Sequence, residues 1–132
     1  MSDRVNPVIF VDLPCTDPEA MSNFYAELFG WKMQHMPQIN YWLIDTSEGG
    51  EPGINGGLLQ RHGVKAVDGQ PVNSYVCTVN VPSVNDYFAK ALKGGGTMAL
   101  AKMAIPHVGW VAYVKDPDGN IFGLHQADPS AR

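Results

Sequence analysis

The sequence predicts an α+β fold in which two βαβββ modules form a curved eight-stranded mixed sheet around a cleft, with the helices outside. One observation is a repeat, because FYA at residues 24–26 recurs as YFA at residues 87–89, 63 positions later. Another is that GLLQ at residues 57–60 recurs as GLHQ at residues 123–126, 66 positions later. A module of about 60 residues used twice indicates a duplicated unit. Two similar modules that face each other would enclose a cleft, which is where we expect a binding site.

The first module is predicted to span residues 8–60 and to begin with a β-branched and aromatic strand at residues 8–13. Asp17 can cap a helix whose first position is Pro18, and Gly30 can end that helix in the left-handed conformation. The apolar face of this helix has the i, i+3, i+4, i+7 spacing and consists of Met21, Phe24, Tyr25 and Leu28. Three further strands are predicted at residues 31–36, 41–46 and 54–60.

The second module is predicted to span residues 73–126 and repeats the same order of elements. Ser83 is a suitable N-cap for its helix, and the glycines at residues 94–96 stop that helix. DPDG at residues 116–119 is typical of a turn and predicts a hairpin between the last two strands. The tail at residues 127–132 is expected to be frayed. The four strands are predicted at residues 74–81, 98–105, 110–114 and 120–126.

Length and composition indicate a single soluble domain over residues 1–132. The net charge of −4 and the scattered basic residues argue against a nucleic-acid partner. No apolar run is long enough for a membrane span, and no secretory signal is recognisable, so we expect a cytoplasmic protein. Cys15 and Cys77 form no CxxC pair and are expected to be buried free thiols in a reducing compartment.

Three segments of the chain occur in an order that characterises one protein family. They are a strand followed by DPEAMSNFYAELFGW at residues 17–31, VPSV at residues 81–84 and VKDPDGNIFGL at residues 114–124. Over residues 8–126 the chain therefore resembles the vicinal oxygen chelate superfamily, also called glyoxalase/bleomycin resistance/dioxygenase. This resemblance implies the fold and a small-molecule cleft. It does not imply one activity, because the superfamily includes lyases, dioxygenases, epoxide-opening transferases and drug-binding proteins.

The resemblance also implies a divalent metal ion, held by His, Gln or Glu from the first and last strands of each module. Three of the ligand positions carry over to Phe10, Gly57 and Gly123. The fourth falls near Asn73, or at most one strand step away among residues 74–76. Phe and Gly side chains cannot hold a metal, and Asn offers a weak amide oxygen. We therefore expect no family metal site and no cofactor.

Strand alternation separates the residues of the cleft from those of the core. It puts Phe10 and Asp12 on one face of the first strand, and Val11 and Leu13 on the face that packs on the helix. The two glycines at ligand positions should leave room, which predicts a spacious cleft with an apolar wall, one acid and one imidazole. The predicted ligand-binding residues are Phe10, Asp12, Gly57, Leu59, Asn73, Tyr75, Gly123 and His125.

Several of these residues have two interpretations. His125 is either a general base or ligand partner in the cleft, or an imidazole at a strand end in solvent. Asp12 is an anchor for a cationic ligand, a partner of His125, or a solvated acid. Trp42, Trp110 and Tyr75 either line the cleft or pack in the core.

Three functions fit this sequence. The leading hypothesis is a metal-free protein that binds an unidentified small molecule. An alternative is an enzyme, either a glyoxalase-like lyase or isomerase with displaced ligands or a metal-free catalyst that uses Asp12 and His125. A third is an accessory module that dimerises or docks, which a cleft filled by its own side chains would favour. Because related folds often dimerise, we expect a homodimer.

Overall fold

A computed structural model describes residues 10–47, 53–61, 63–64, 67, 69–70 and 76–132 of the chain. The chain divides into two compact units, Met1–Val64 and Lys65–Arg132. Each unit has one four-stranded mixed sheet and one α-helix, in the order strand, helix, strand, strand, strand. The α+β class and the two βαβββ modules are thereby confirmed. Within the described residues, no helix has the length and apolar character needed to cross a membrane.

The first unit is a mixed sheet with the spatial order β1-β4-β3-β2. β1 runs parallel to β4, whereas the pairs β3–β4 and β2–β3 are antiparallel. A short 3₁₀ turn separates β2 from β3. The elements are β1 (Phe10–Cys15), α1 (Pro18–Phe29), β2 (Lys32–Met36), β3 (Tyr41–Asp45) and β4 (Asn55–Gln60).

The ends of α1 lie where local sequence signals predict them. The Asp17 carboxylate accepts a hydrogen bond from the Ala20 amide at 3.2 Å, and Pro18 occupies the first helical position. Gly30 adopts φ 73°, and its amide donates to the Ala26 carbonyl at 2.8 Å. These short-range interactions set the direction in which the chain returns to the sheet.

One face of the first sheet and α1 together bury the core of this unit. The residues of β1 alternate, with Val11, Leu13 and Cys15 less exposed than Phe10 and Asp12. The predicted division of this strand into a helix face and an opposite face is therefore confirmed. Trp42 packs against the core as well, so it does not line the opposite face. The buried cluster contains Cys15, Met21, Ile44 and Leu58, with Leu13, Trp31, Met33 and Trp42 packed against it.

The second unit repeats this arrangement with the spatial order β5-β8-β7-β6 and with β5 parallel to β8. Ser83 caps the helix by accepting from the Asp86 amide at 3.1 Å. The turn between β7 and β8 is held by Asp116, whose carboxylate accepts from the amides of Asp118 at 2.8 Å and Asn120 at 3.0 Å. The elements are β5 (Cys77–Asn80), α2 (Val84–Lys93), β6 (Thr97–Ile105), β7 (Gly109–Lys115) and β8 (Ile121–Ala127).

Two sequence-based expectations are wrong. The tail is not frayed, because the Asp128 amide donates to Val108 and the His107 amide donates to Ala131, each at 3.0 Å. The Trp110 indole also donates to Asp128 at 3.0 Å. Hydrogen bonds with residues distant in the sequence therefore hold in place the segment that was expected to fray. Cys77 is exposed whereas Cys15 is buried, since Cys77 lies on the first strand of the second unit outside its core.

Candidate functional site

The face of the first sheet that lies opposite α1 carries four of the predicted site residues. β1 and β4 pair in parallel, with Phe10 opposite Asn55 and Asp12 opposite Gly57. Leu59 lies two residues beyond Gly57 on β4 and therefore points to the same face. The strand register thus brings Phe10, Asp12, Gly57 and Leu59 together on one surface, as alternation predicts.

Tyr41 of β3 is the residue of this surface that sequence reasoning missed. Its hydroxyl donates a hydrogen bond of 2.7 Å to a carboxylate oxygen of Asp12, 29 positions earlier in the chain. Burial, and then the hydrogen bond to Asp12 and the negative charge of Asp12, raise the pKa of the Tyr41 hydroxyl far above its ordinary value. The phenol therefore remains protonated at neutral pH and serves as the donor to Asp12.

Gly57 is essential to this contact because the ring of Tyr41 lies directly over it. A Cβ atom built on Gly57 would overlap the hydroxyl and ring atoms of Tyr41. The expectation that Gly57 leaves room in a cleft is therefore wrong, since an aromatic side chain from a neighbouring strand occupies the space. The sequence does not reveal this, because Tyr41 becomes a diagonal neighbour of Gly57 only when β3 pairs with β4 and Tyr41 lies opposite Leu59.

Gly123 in the second unit is covered in a comparable way. A Cβ atom on Gly123 would lie 2.6 Å from Thr78 Oγ1 and 2.9 Å from Tyr113 Cε1. Thr78 and Tyr113 are the cross-strand neighbours of Gly123 on β5 and β7. The expected space at this second ligand position is thus filled as well, and again a tyrosine contributes.

An open depression of about 490 Å³ lies on the first unit. Two of its lining residues, Phe10 and Leu43, lie two positions from Asp12 and Tyr41 on β1 and β3. Asp45 supplies a carboxylate there, and the amide and hydroxyl of Ser47 donate to it, each at 2.9 Å. These hydrogen bonds lower the pKa of Asp45 below its ordinary value, and the one from the Ser47 amide has the larger effect. The depression is lined by Phe10, Lys32, Met33, Gln34, Leu43, Ile44, Asp45 and Asn55.

His125 is half-buried on β8 and pairs with Asn80 on the neighbouring strand β5. The distance between His125 Nδ1 and Asn80 Oδ1 is 3.2 Å. An amide oxygen can only accept, so this contact is a hydrogen bond in the tautomer in which His125 Nδ1 carries the proton and Nε2 keeps its lone pair. Nε2 lies beside Gly109, where an added Cβ atom would come within 2.8 Å of it. Asn80 is a second residue that sequence reasoning missed.

The residues at the metal-ligand positions do not fit the metal ion that the fold family implies. Phe10, Gly57 and Gly123 provide no donor atom on their side chains, and the space beside both glycines is occupied. The other two predicted site residues, Asn73 and Tyr75, lie outside the described residues. Within the part of the chain that is described, no three His, Cys, Asp or Glu side chains converge to hold a metal.

Replacing Gly57 by Ala tests whether the ring of Tyr41 occupies the space over Gly57. We expect Gly57→Ala to lower the free energy of unfolding by about 1–3 kcal/mol, because the new methyl group displaces a packed ring. Urea denaturation measures the change. In a Tyr41→Ala background the same substitution should cost much less, as a double-mutant cycle would show. An equal cost in both backgrounds would mean that Tyr41 does not fill this space.

The raised pKa of Tyr41 predicts how stability depends on alkaline pH. The unfolded chain loses its tyrosine protons near pH 10, whereas folded Tyr41 retains its proton to higher pH. The contribution of Tyr41 is therefore complete below about pH 10 and is lost as the pH rises through the folded pKa. Urea denaturation between about pH 8 and 11 should show this decline.

Two variants make the alkaline prediction specific. Tyr41→Phe should flatten the decline in stability and remove one late-titrating phenol from the absorbance titration of the five tyrosines. Asp12→Asn should lower the pKa of Tyr41 only part of the way to the ordinary tyrosine value, because burial is the larger cause of the raised pKa. The release of one more tyrosine proton near pH 10 by the native chain than by Tyr41→Phe would contradict the prediction.

Comparison with sequence relatives assigns the chain to a family. The model of the glyoxalase-like domain family matches residues 8–125. The protein named "Putative glyoxylase CFP32" from Mycobacterium bovis, and the same protein from Mycobacterium tuberculosis, is 30% identical over 129 residues. That alignment covers 90% of this chain and 45% of CFP32, so the chain spans about half the length of the curated relatives it matches.

Solved structures agree at the level of the fold. A glyoxalase/bleomycin resistance protein/dioxygenase family enzyme from Burkholderia phytofirmans superposes with a TM-score of 0.69 at 17% identity, over 93% of this chain and 100% of that chain. The fosfomycin resistance protein FosX from Listeria monocytogenes superposes with a TM-score of 0.66 at 14% identity, over 96% of each chain. With the family match over residues 8–125, the chain belongs to the glyoxalase-like family of the vicinal oxygen chelate superfamily.

Proposed function

We propose that this protein binds a small molecule and does so without the metal ion usual in its fold family. The observation that carries this proposal is the composition of the ligand positions. Phe10, Gly57 and Gly123 supply no metal donor, and Tyr41, with its hydrogen bond to Asp12, covers one of the two glycines. A site adapted to a metal would be expected to keep both donors and open space at these positions.

The depression beside the Asp12–Tyr41 pair is a suitable surface for such a ligand. Its volume of about 490 Å³ lies within the range of roughly 300–1,000 Å³ that is common for small-molecule sites. Phe10 and Leu43 offer apolar contact, whereas Asn55, Gln34 and Asp45 offer polar groups that can orient a ligand. Lys32 adds a charged group to this lining, which is more polar than apolar, so polar contacts would contribute much of the binding of a ligand.

The fold relatives are compatible with this proposal. A FosX variant from Listeria monocytogenes was crystallised with Mn(II) and a dihydroxypropylphosphonic acid, so that protein holds both a metal and a small ligand on this fold. For the present chain we propose that the role in binding small molecules is kept and the metal is lost.

The hypothesis of an accessory docking module is favoured by one feature and weakened by another. Side chains of the chain itself fill the space over Gly57 and Gly123, as that hypothesis expects. The depression lined by Phe10 and Asp45 stays open, however, and its size and mixed chemistry support a ligand. We therefore prefer small-molecule binding. The homodimer and the cytoplasmic location stay predictions.

Metal content is the direct test of the metal-free proposal. We expect protein purified without chelator from metal-supplemented medium to contain substoichiometric Mn, Fe, Ni and Zn by elemental analysis. Adding each divalent ion should leave the thermal unfolding midpoint unchanged, because a ligand stabilises a protein only when it binds the folded state more tightly than the unfolded chain. One tightly held divalent ion per chain would refute the proposal.

His125 supports a second candidate function, a metal-free catalyst. In the tautomer in which Nδ1 donates to Asn80, at 3.2 Å, Nε2 keeps a lone pair, and the ring is half-buried. Such an imidazole can act as a general base near neutral pH. Whereas binding alone needs no base, a proton-transfer reaction would use this group.

A panel of α-ketoaldehydes and thiol conjugates tests this candidate. If the protein turns over any of them, His125→Ala should reduce kcat at least about tenfold, as expected for the loss of a general base. His35→Ala is a matched control, because His35 stacks on Trp42 in the first unit at a ring distance of 4.1 Å. Equal losses in both variants, or no turnover on the panel, would count against a catalytic His125.

A further inference from the structure

The Asp12–Tyr41 pair restricts the kind of ligand that the first unit can bind. A phenol has one O–H group, and Tyr41 uses it to donate the 2.7 Å hydrogen bond to Asp12. An ionised carboxylate has no proton to donate, so the pair presents acceptors only. The raised pKa of Tyr41 keeps this state in place at neutral pH. A ligand group that meets the pair must therefore supply donors.

The charges around Asp12 favour a positively charged donor. In the strand register Asp12 lies opposite Gly57, and Gly57 lies opposite Leu43, which in turn pairs with Gln34. None of these three neighbours carries a charge, so that row of side chains has a net negative charge from Asp12. The other carboxylate of this surface, Asp45, lies opposite Lys32 and thus has a cation nearby.

The ring of Phe10 supplies the apolar part of the site. Phe10 lies two residues before Asp12 on the same face of β1, about 7 Å away at the usual rise of a strand. It is 41% exposed and lines the open depression, so a ligand can reach it. A cation near an aromatic face gains further attraction from the ring. A carboxylate, a ring and a cavity therefore adjoin one another.

We propose that this face of the first unit binds an organic cation, with its protonated nitrogen on the Asp12 carboxylate and its apolar body against Phe10 in the depression. The inference rests on the proposed small-molecule function and names its ligand class. A primary or secondary ammonium fits best, because it combines a positive charge with N–H donors. A carboxylate or phosphate ligand would place a negative charge on the face that already carries Asp12.

Three probes of similar shape and different charge test this ligand class. Benzylamine, benzyl alcohol and benzoate are titrated at pH 7 into the ¹⁵N-labelled full chain, and amide shifts are followed by NMR. We expect benzylamine to shift the amides of Phe10, Asp12 and Tyr41 and to bind at least about tenfold more tightly than the other two probes. Tenfold corresponds to about 1.4 kcal/mol, the scale of a hydrogen bond to a charged group.

Matched variants locate the interaction. Asp12→Asn keeps the size of the side chain, removes its charge and should weaken benzylamine binding about tenfold. Glu27→Gln removes an exposed carboxylate from α1, on the opposite side of the first sheet, and should change the affinity by less than about twofold. Phe10→Leu should weaken binding, because it removes the ring but keeps an apolar side chain. The dispersion of the NMR spectrum verifies that each variant is folded.

Several outcomes would overturn the proposal. Equal binding of benzylamine by the native chain and by Asp12→Asn would show that Asp12 is not the anchor. Benzoate or benzyl alcohol binding as tightly as benzylamine would reject the cationic class while leaving small-molecule binding in place. The absence of shifts at these amides with all three probes would reject the site. The metal-free proposal fails separately, through a stoichiometric metal in the purified protein.

Discussion

The parallel pairing of the first and last strands in each module is the constraint on which the rest of this structure depends. Parallel neighbours need a long crossover, and here the connection includes a helix and two further strands. Because the helix packs on one face of the sheet, the apolar residues of that face are buried and the opposite face remains for other chemistry. The same pairing places Asp12 directly opposite Gly57 and Asn80 directly opposite His125.

The two glycines at metal-ligand positions connect packing with function. In many strands a glycine weakens the sheet, but it also lets another group approach the backbone closely. Here Tyr41 lies over Gly57, and Thr78 and Tyr113 lie close to Gly123. A metal-binding Glu at either position would have to displace these side chains. The lack of a side chain at each glycine thus accounts both for the missing donor atom and for the close packing over it.

The polar groups of the two units carry different chemistry. In the first unit, the Tyr41 hydroxyl donates its hydrogen bond to Asp12, which leaves a surface of hydrogen-bond acceptors. In the second unit, Asn80 Oδ1 lies 3.2 Å from His125 Nδ1 and can accept a hydrogen bond from it, which leaves Nε2 with a lone pair in that tautomer. Both arrangements rest on one cross-strand contact. The acceptors of the first are the basis of the proposed cation binding, and the second would supply the lone pair that the proposed general base needs.

Features that depend on neighbours in sequence could be predicted from the sequence alone. Asp17, Gly30 and Ser83 delimit their helices through contacts within four residues, and alternation separated the two faces of β1. The repeat and its motifs predicted the family, which the match over residues 8–125 confirms. Tyr41, Asn80 and the ordered tail depended on the tertiary structure, because their partners lie 18 to 45 positions away or across a turn.

The sequence by itself determined that Phe10, Gly57 and Gly123 lack metal donors, since this follows from the chemistry of their side chains. Only the tertiary structure decided that aromatic rings fill the space beside the two glycines, since strand register brings those rings there.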